Sequence, residues 1–350
     1  MSTYTTPIDE FDTSTSDGAL GPEVQFDRDR PPLGSFVFGP AYDGTCFILK
    51  DNRLYYCKPK QPEAWPALYY IEVGPISFPL TSGLLHNGQV YCFNQNDIFY
   101  VQGTGNGTFL PLRRDCKTGA QSIRGALSVS GRGIYHTGPD GIYLYTASSD
   151  AKITEQTLEP IFRGETTEGI PGVSTMTSSW LFAYGNNLYF GYRSTGQDQP
   201  GNIIVMNLDT GKTAYFVYND GSDVLIRAIA HDRENKRLLV GDNSGFVRVI
   251  ESPLYTDDSG ESIAFDVKSK ELTLPTRAHF PRFIKYDVDA SDDDATVTGE
   301  LYLDGVSHQS HTITGNRITK RRQIGTGNGQ KASIRISGTG PVSIYTTEFE

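Results

Sequence analysis

One phrase returns five times along this chain, and it limits the fold more than any other feature. The phrase is a short apolar strand, a turn of Asn, Gly or Asp, and a second strand that opens on an aliphatic residue usually followed by Tyr. It reads CFILKDNRLYYC (46–57), GLLHNGQVYCF (83–93), ALSVSGRGIYHT (126–137), WLFAYGNNLYFGY (180–192) and IRAIAHDRENKRLLVG (226–241). The aliphatic anchors Leu54, Val90, Ile134, Leu188 and Leu238 stand 36, 44, 54 and 50 residues apart. Self-similarity at that period marks stacked supersecondary units, and four-stranded propeller blades recur at this spacing.

Further strands follow each phrase. DIFYVQ (97–102), GIYLYT (141–146), NIIVMNL (202–208) and FVRVIE (246–251) come after turns holding Asn96-Asp97, Asp140-Gly141 and Asn243-Ser244-Gly245, whose residue types favour positive φ. LYYIEV (68–73), TFLPLR (108–113), KITEQT (152–157), TAYFVY (213–218) and IAFDVK (263–268) supply a fourth strand in each unit. The expectation is five four-stranded antiparallel blades between residues 34 and 270. A lone blade leaves both faces wet, whereas radial stacking covers them and leaves no long open edge.

Composition agrees. The chain has 37 Gly, 19 Pro, 20 Tyr and 18 Phe beside 3 Met, a mixture suited to tight turns and pleated, half-buried surfaces. Residues 271–350 read differently, as clean alternation: Ile284, Tyr286 and Val288; Leu301 and Leu303 before Asp304-Gly305; Ile334 and Ile336; Val342 and Ile344. That pattern predicts a small antiparallel β-sandwich. Residues 1–33, acidic, polar and ending in FDRDRPP, predict a flexible arm. The fold class expected is all-β, a β-propeller followed by a β-sandwich.

No apolar run is long enough for a membrane-spanning helix, and the N-terminus lacks a basic region followed by a hydrophobic one. Cys46, Cys57, Cys92 and Cys116 form no CxxC, so neither zinc nor a redox pair is signalled, and buried free thiols are expected. The net charge of −10 disfavours attraction to nucleic acid.

Several stretches carry candidate chemistry. PEAWPALYYIEVGP (62–75) concentrates aromatic surface; Trp65 and Tyr69 read first as packing between blades, and Trp65, Tyr69 and Tyr70 second as partner contacts. In DVDASDDDATVTG (287–299) the carboxylates have a calcium-like density, but the glycine turn and terminal glutamate of an EF-hand loop are missing. An acidic hairpin is the simpler reading, so no metal ligand is assigned. GTGNGT (103–108) and GTGNGQK (325–331) lack phosphate-loop spacing and read as hairpin loops. Lys320, Arg321 and Arg322 suit a charged sheet edge or an inter-subunit salt bridge, with 320 and 322 on one face and 321 on the other. His308 and His311 fall on opposite faces of a strand and cannot share a metal. No GxSxG or HExxH occurs, and no cofactor is implied.

RLYYCKPKQPEAWPALYYIEVG (53–74) resembles a passage in the propeller-containing tail proteins of short-tailed phages, with its aromatic pair, Pro-Glu-x-Trp-Pro loop and Tyr-Ile-x-Val-Gly. GIYHTGPDGIYLYTASSDAKITEQTLEPIF (133–162) is similar to a blade of the same family, and ASIRISGTGPVSIYTTEFE (332–350) resembles the C-terminal sandwich strand pair of phage tail and connector proteins. The likeness covers roughly residues 45–165 and 262–350. It implies a structural virion protein of the tail or neck, a nozzle or hub ring of six copies below the portal and adaptor, assembled in the host cytoplasm. Its implied partners are copies of itself, the adaptor or connector, and tail fibre or tail-plug proteins, with DNA passing without specific binding and no bond made or broken. A short N-terminus sets this chain apart and leaves the blade count open at about five. In such a conduit Asp287, Asp289, Asp292, Asp293 and Asp294 would face the channel and repel phosphate. Two other readings compete. A carbohydrate-binding propeller would use Trp65, Trp180 and tyrosines as stacking platforms. A propeller glycosidase would need converging axial carboxylates, for which the inner strands offer only Asp232.

Overall fold

The computed structural model describes residues 31–41, 44–103, 108–147, 149–154, 158–167, 169–217, 225–250, 264–269, 271–273, 283–290, 295–323, 329–340 and 342–349. The expected arm at residues 1–30, most of GTGNGT and GTGNGQK, and Asp292, Asp293 and Asp294 lie outside the described residues. Two compact units divide near residue 248.

In the first unit the sheets follow one another along the chain. β1 (Phe36–Ala41), β2 (Thr45–Lys50), β3 (Arg53–Tyr56) and β4 (Tyr70–Glu72) make the first; β5 (Ser82–His86), β6 (Gln89–Phe93), β7 (Ile98–Gln102) and β8 (Leu110–Arg114) the second. β9 (Ala126–Val129), β10 (Gly133–Gly138), β11 (Gly141–Thr146) and β12 (Ser149–Lys152) make the third; β13 (Thr175–Tyr184), β14 (Asn187–Arg193), β15 (Asn202–Asn207) and β16 (Thr213–Val217) the fourth. β17 (Ile226–Asp232), β18 (Arg237–Asp242) and β19 (Val247–Ile250) form a fifth sheet of three strands. All are antiparallel meanders, and the first strands of successive sheets lie on one another, β1 on β5, β5 on β9 and β9 on β13. Sheets in series that meet along their first strands are propeller blades.

The Tyr phrase explains the stacking. Successive side chains of a strand point to opposite faces, so Val90, Ile134 and Leu188 face the preceding sheet. Tyr135 turns towards the fourth sheet, and Tyr91 packs beside Ile134 and Tyr145 of the third. The first phrase is out of step with the others: CFILKDNRLYYC is β2–β3, whereas the later four are the first and second strands of their sheets. Leu54 is therefore not the equivalent of Val90. It lies opposite Leu49 and faces the second sheet.

Hydrogen bonds stitch the first strands and the segments that lead into them. Thr81 donates to the Ala120 carbonyl (2.6 Å), Ser82 to that of Ile123 (2.9 Å) and Ser122 to that of Ser179 (2.7 Å). Arg124 forms a parallel bridge with Trp180 and reaches the Arg227 carbonyl at 2.9 Å, joining the third, fourth and fifth sheets. Between the third and fourth sheets the short helix α1 (Glu159–Phe162) inserts Ile161 and Phe162 into their shared core, with Pro160 in its first turn, where no backbone donor is required. The sequence reading had no helix here.

Three further expectations change. The fourth strand of the third sheet is Ser149–Lys152 rather than 152–157. The segment read as IAFDVK does not complete the fifth sheet: β20 (Ala264–Lys268) pairs with β26 (Lys331–Thr339), so the expected boundary at 270 falls inside the second unit. Of the turns expected to hold positive φ, Asn243-Ser244-Gly245 does so at Gly245 and Asp140-Gly141 does not; the turns between first and second strands also use it, at Asn87-Gly88, Gly131, Gly185 and Lys236, as does Asp51 between β2 and β3. Gly138 pairs directly with Gly141, leaving Pro139-Asp140 as a two-residue loop. Gly141 is small for another reason, since an added Cβ would sit 2.3 Å from Thr154 Oγ1.

The second unit is a sandwich. β20 and β21 (Leu272–Thr273) both pair with β26, which continues to β23 (Thr296–Leu303) and β24 (Val306–Ile313). The facing sheet is β25 (Gly315–Gln323), β22 (Phe283–Ala290) and β27 (Ser343–Phe349). The alternating residues Ile284, Tyr286 and Val288 from one sheet meet Leu301, Leu303, Ile334 and Ile336 from the other, while Val342 packs at the margin and Ile344 stays exposed. Gly299 leaves room for the Tyr286 ring, which would lie 2.7 Å from an added Cβ.

Candidate functional site

Trp65 is 5% exposed, and its indole donates to the Pro62 carbonyl at 2.6 Å. It covers Ile48 and Cys57 with Cys46 and Tyr55 beside them, on the face of the first sheet opposite the second sheet. The expectation of packing between blades is therefore corrected for Trp65: the loop 57–68 folds back as an end cap over its own sheet. Tyr69 meets it, packing on the other face against the core between the first and second sheets, its ring tilted on Tyr56. Tyr70 pairs with Tyr55 beside the cap and stays half-exposed, with Arg53 over its ring at 4.4 Å and bonded to Glu72. Of the three aromatic candidates, Tyr70 presents the most usable surface to a partner. Trp180 is buried against Gly191, so neither tryptophan is a stacking platform.

At the far end of the series the described residues show no such cap. On the fifth sheet Ala228 and Ala230 lie opposite Gly241 and Leu239. Val247 (73% exposed) and Val249 (43%) share their side, because the alternate residues point away: Arg248 reaches the buried Asp242 at 2.9 Å, and Ile250 is buried. The result is an exposed sheet face of small and β-branched side chains.

A recurrent device anchors the turns between second and third strands. Asp97 holds Arg113 at 2.6 Å, Asp140 holds Lys152 at 2.9 Å, and Asp242 holds Arg248 while its other oxygen accepts the Ser244 and Phe246 amides. In the third sheet a second carboxylate is fully internal. Asp150 accepts from His136 Nε2 at 2.9 Å and from the Lys117 amide at 2.7 Å, and His136 stacks on Tyr143. Burial pushes the Asp150 carboxyl up, but the His136 bond and charge and the amides of Lys117 and Thr118 outweigh it and hold it below the usual range. The pair clamps the segment that leads from the second sheet to the third.

An apolar cleft of about 310 Å³ separates the third and fourth sheets, lined by Tyr135, Leu144, Ile153, Met206 and Leu208. Arg132 closes one side, donating to the Leu208 carbonyl (2.6 Å), to Asn186 (3.0 Å) and to the Asp209 carboxylate. With its donors committed, the guanidinium is not poised for an anionic ligand.

In the second unit Asp287 and Asp289 occupy the outer alternation of β22, half-buried, together with Lys285. The register sets positions 320 and 322 opposite the core residues Tyr286 and Ile284, and position 321 opposite Lys285. β25 is an edge strand, and Arg322, exposed, reaches the Thr312 carbonyl of the facing sheet at 3.5 Å. His311 bonds the Tyr286 hydroxyl (3.3 Å), whereas His308 is exposed. Asp232 is spent on its own turn, accepting from Asn235 and the Glu234 amide. Among the described residues no group of three His, Cys, Asp or Glu side chains is placed to hold a metal.

Neither a family model nor a curated protein matches the chain. Among solved structures it is similar to Hsv2 of Kluyvelomyces marxianus, at 9% identity and a TM-score of 0.39, with 62% of each chain covered. It is also similar to PorZ, a surface component of the type-IX secretion system of Porphyromonas gingivalis (13%, TM-score 0.36), and to the extracellular domain of the putative one-component system BT4673 of B. thetaiotaomicron (12%, TM-score 0.30). The matches cover 61% and 64% of this chain but only 25% and 35% of those two. None of the three bears on function.

Proposed function

We propose that this protein is a structural ring subunit of a phage tail or neck, a nozzle or hub that works by contact rather than catalysis. The observation that carries this reading is the exposed face of the fifth sheet. The first three junctions each cover the forward face of one sheet with the backward face of the next. The last forward face, Ala228, Ala230, Leu239, Gly241, Val247 and Val249, is apolar and remains wet. Apolar surface of this kind marks an assembly site, and a second copy of the chain is the occupant proposed, within a ring of six. The resemblance of residues 53–74, 133–162 and 332–350 to phage tail proteins supports the same assignment, as does a net charge of −10, which lets DNA pass without retention. Adaptor, tail fibre and plug proteins would meet the ring at its other surfaces, such as Tyr70.

Light scattering with negative-stain imaging, on the protein alone and with its adaptor ring, tests the proposal. A sixfold annulus in either condition is expected. A monomer in both overturns it. Trp65 and Trp180, the tryptophan platforms of the carbohydrate-binding alternative, are both buried.

A further inference from the structure

We propose that Cys46 and Cys57 are a redox-active dithiol that closes to a disulfide beneath the Trp65 cap. Eleven residues separate them in sequence, but the β2–β3 hairpin sets them face to face. The Cys57 amide donates to the Cys46 carbonyl at 3.1 Å, and the Cys46 amide donates to the Cys57 sulfur at 3.0 Å. The register Phe47–Tyr56 continued by one residue sets Cys46 opposite Cys57 with one backbone bond between them, and opposed residues of a hydrogen-bonded antiparallel pair hold their Cα atoms about 5.5 Å apart, within the roughly 4.4–6.8 Å that a disulfide spans. Both side chains belong to the same small cluster with Ile48, Tyr55 and Trp65. A structural zinc site needs four ligands, and no third ligand is arranged here among the described residues. Two thiols alone suit disulfide chemistry.

Burial orders the steps. Cys57 is fully buried, and that burial, chiefly, pushes its thiol up; Cys46 is half-exposed. Cys46 is the entry thiol. With oxidised glutathione as the oxidant, the Cys46 thiolate attacks one glutathione sulfur, forming a mixed disulfide and releasing one reduced glutathione. The Cys57 thiolate then attacks Cys46 Sγ and expels the second. Two electrons pass from the two cysteines to glutathione disulfide, and their two protons go to the departing thiolates. The other thiols are poorly placed to compete. Cys92 is fully buried in the core between the first two sheets, and Cys116 lies beside the Asn96 carbonyl. The closed form would fix the hairpin that the end cap rests on.

The test equilibrates the full chain with oxidised glutathione, alkylates it in denaturant and maps the peptides; Lys50 and Arg53 let trypsin separate the two cysteines. Two of the four thiols should disappear into a single Cys46–Cys57 link. Trp65 emission should fall, since a disulfide quenches an adjacent indole, and dithiothreitol should restore it. Cys46→Ser should abolish both changes, and Cys116→Ser should leave both intact. Four alkylated cysteines, a lasting glutathione adduct on Cys46, or a link that involves Cys116 or a second chain would each overturn the assignment.

Discussion

Replacing Asp150 by Ala isolates the contribution of the internal carboxylate–imidazole pair of the third sheet. The side chain is 2% exposed and accepts from His136 Nε2 and the Lys117 amide. Truncation leaves a buried imidazole N–H and a backbone N–H with no acceptor, and opens a small void. Breaking a buried pair from one side costs about 3–5 kcal/mol, which in a unit of this size lowers the unfolding midpoint by roughly 6–20 °C. Asp150→Asn keeps an acceptor for Lys117 and should lose about half as much. The folded carboxyl titrates below its unfolded value, so its stabilisation is complete above about pH 4 and is lost as pH falls through the folded pKa. Thermal unfolding followed by near-ultraviolet circular dichroism at pH 7 and pH 3 gives both readings. The gap between wild type and Asp150→Asn should narrow at the lower pH. An Asp150→Ala midpoint within about 1 °C of wild type, or a gap that widens in acid, would refute the account.

Other sites give shorter tests. Gly191→Ala drives a methyl into the Trp180 ring, 2.0 Å from an ideal Cβ, and should cost about 1–3 kcal/mol with a shift in tryptophan emission, both readable in a urea titration. Gly299→Ala should do the same through Tyr286 in the second unit, leaving the tryptophan signal in place. Val247→Lys changes an exposed position, so the monomer's stability should change by no more than about 0.5 kcal/mol, while sedimentation velocity should show loss of the ring. Arg132→Ala removes the cation that holds Asp209 below the usual carboxylate range; the Asp209 carboxyl should then titrate higher, as carbon-detected NMR can follow.

The sheets were legible because an aliphatic residue followed by Tyr states both neighbours of a strand at once. Ile134 and Tyr135, or Leu188 and Tyr189, need opposite apolar faces, and only stacked sheets provide two. The sandwich was legible for the converse reason, since Ile284, Tyr286 and Val288 want a single face. What failed depended on partners distant in sequence. Ala264–Lys268 alternates as well for one sheet as for another, and only pairing with β26 decides. Trp65 looked like a blade-to-blade contact because nothing local marks the first sheet as an end. The Cys46–Cys57 opposition was within reach of the first phrase, since a two-residue turn at Asp51-Asn52 sets its two ends opposite each other. His136 did carry a signal: it shares a face with the core residue Ile134, and a polar side chain so placed needs an acceptor, although nothing named Asp150.

The opposite-facing dipeptide has a consequence for how such a chain can change. Adding or deleting one residue inside β10 or β14 would swap the inward and outward neighbours of every side chain beyond it, spoiling two junctions together. Extra length is tolerated in the connections and in the first strands, where β1, β13 and β17 each carry a register shift.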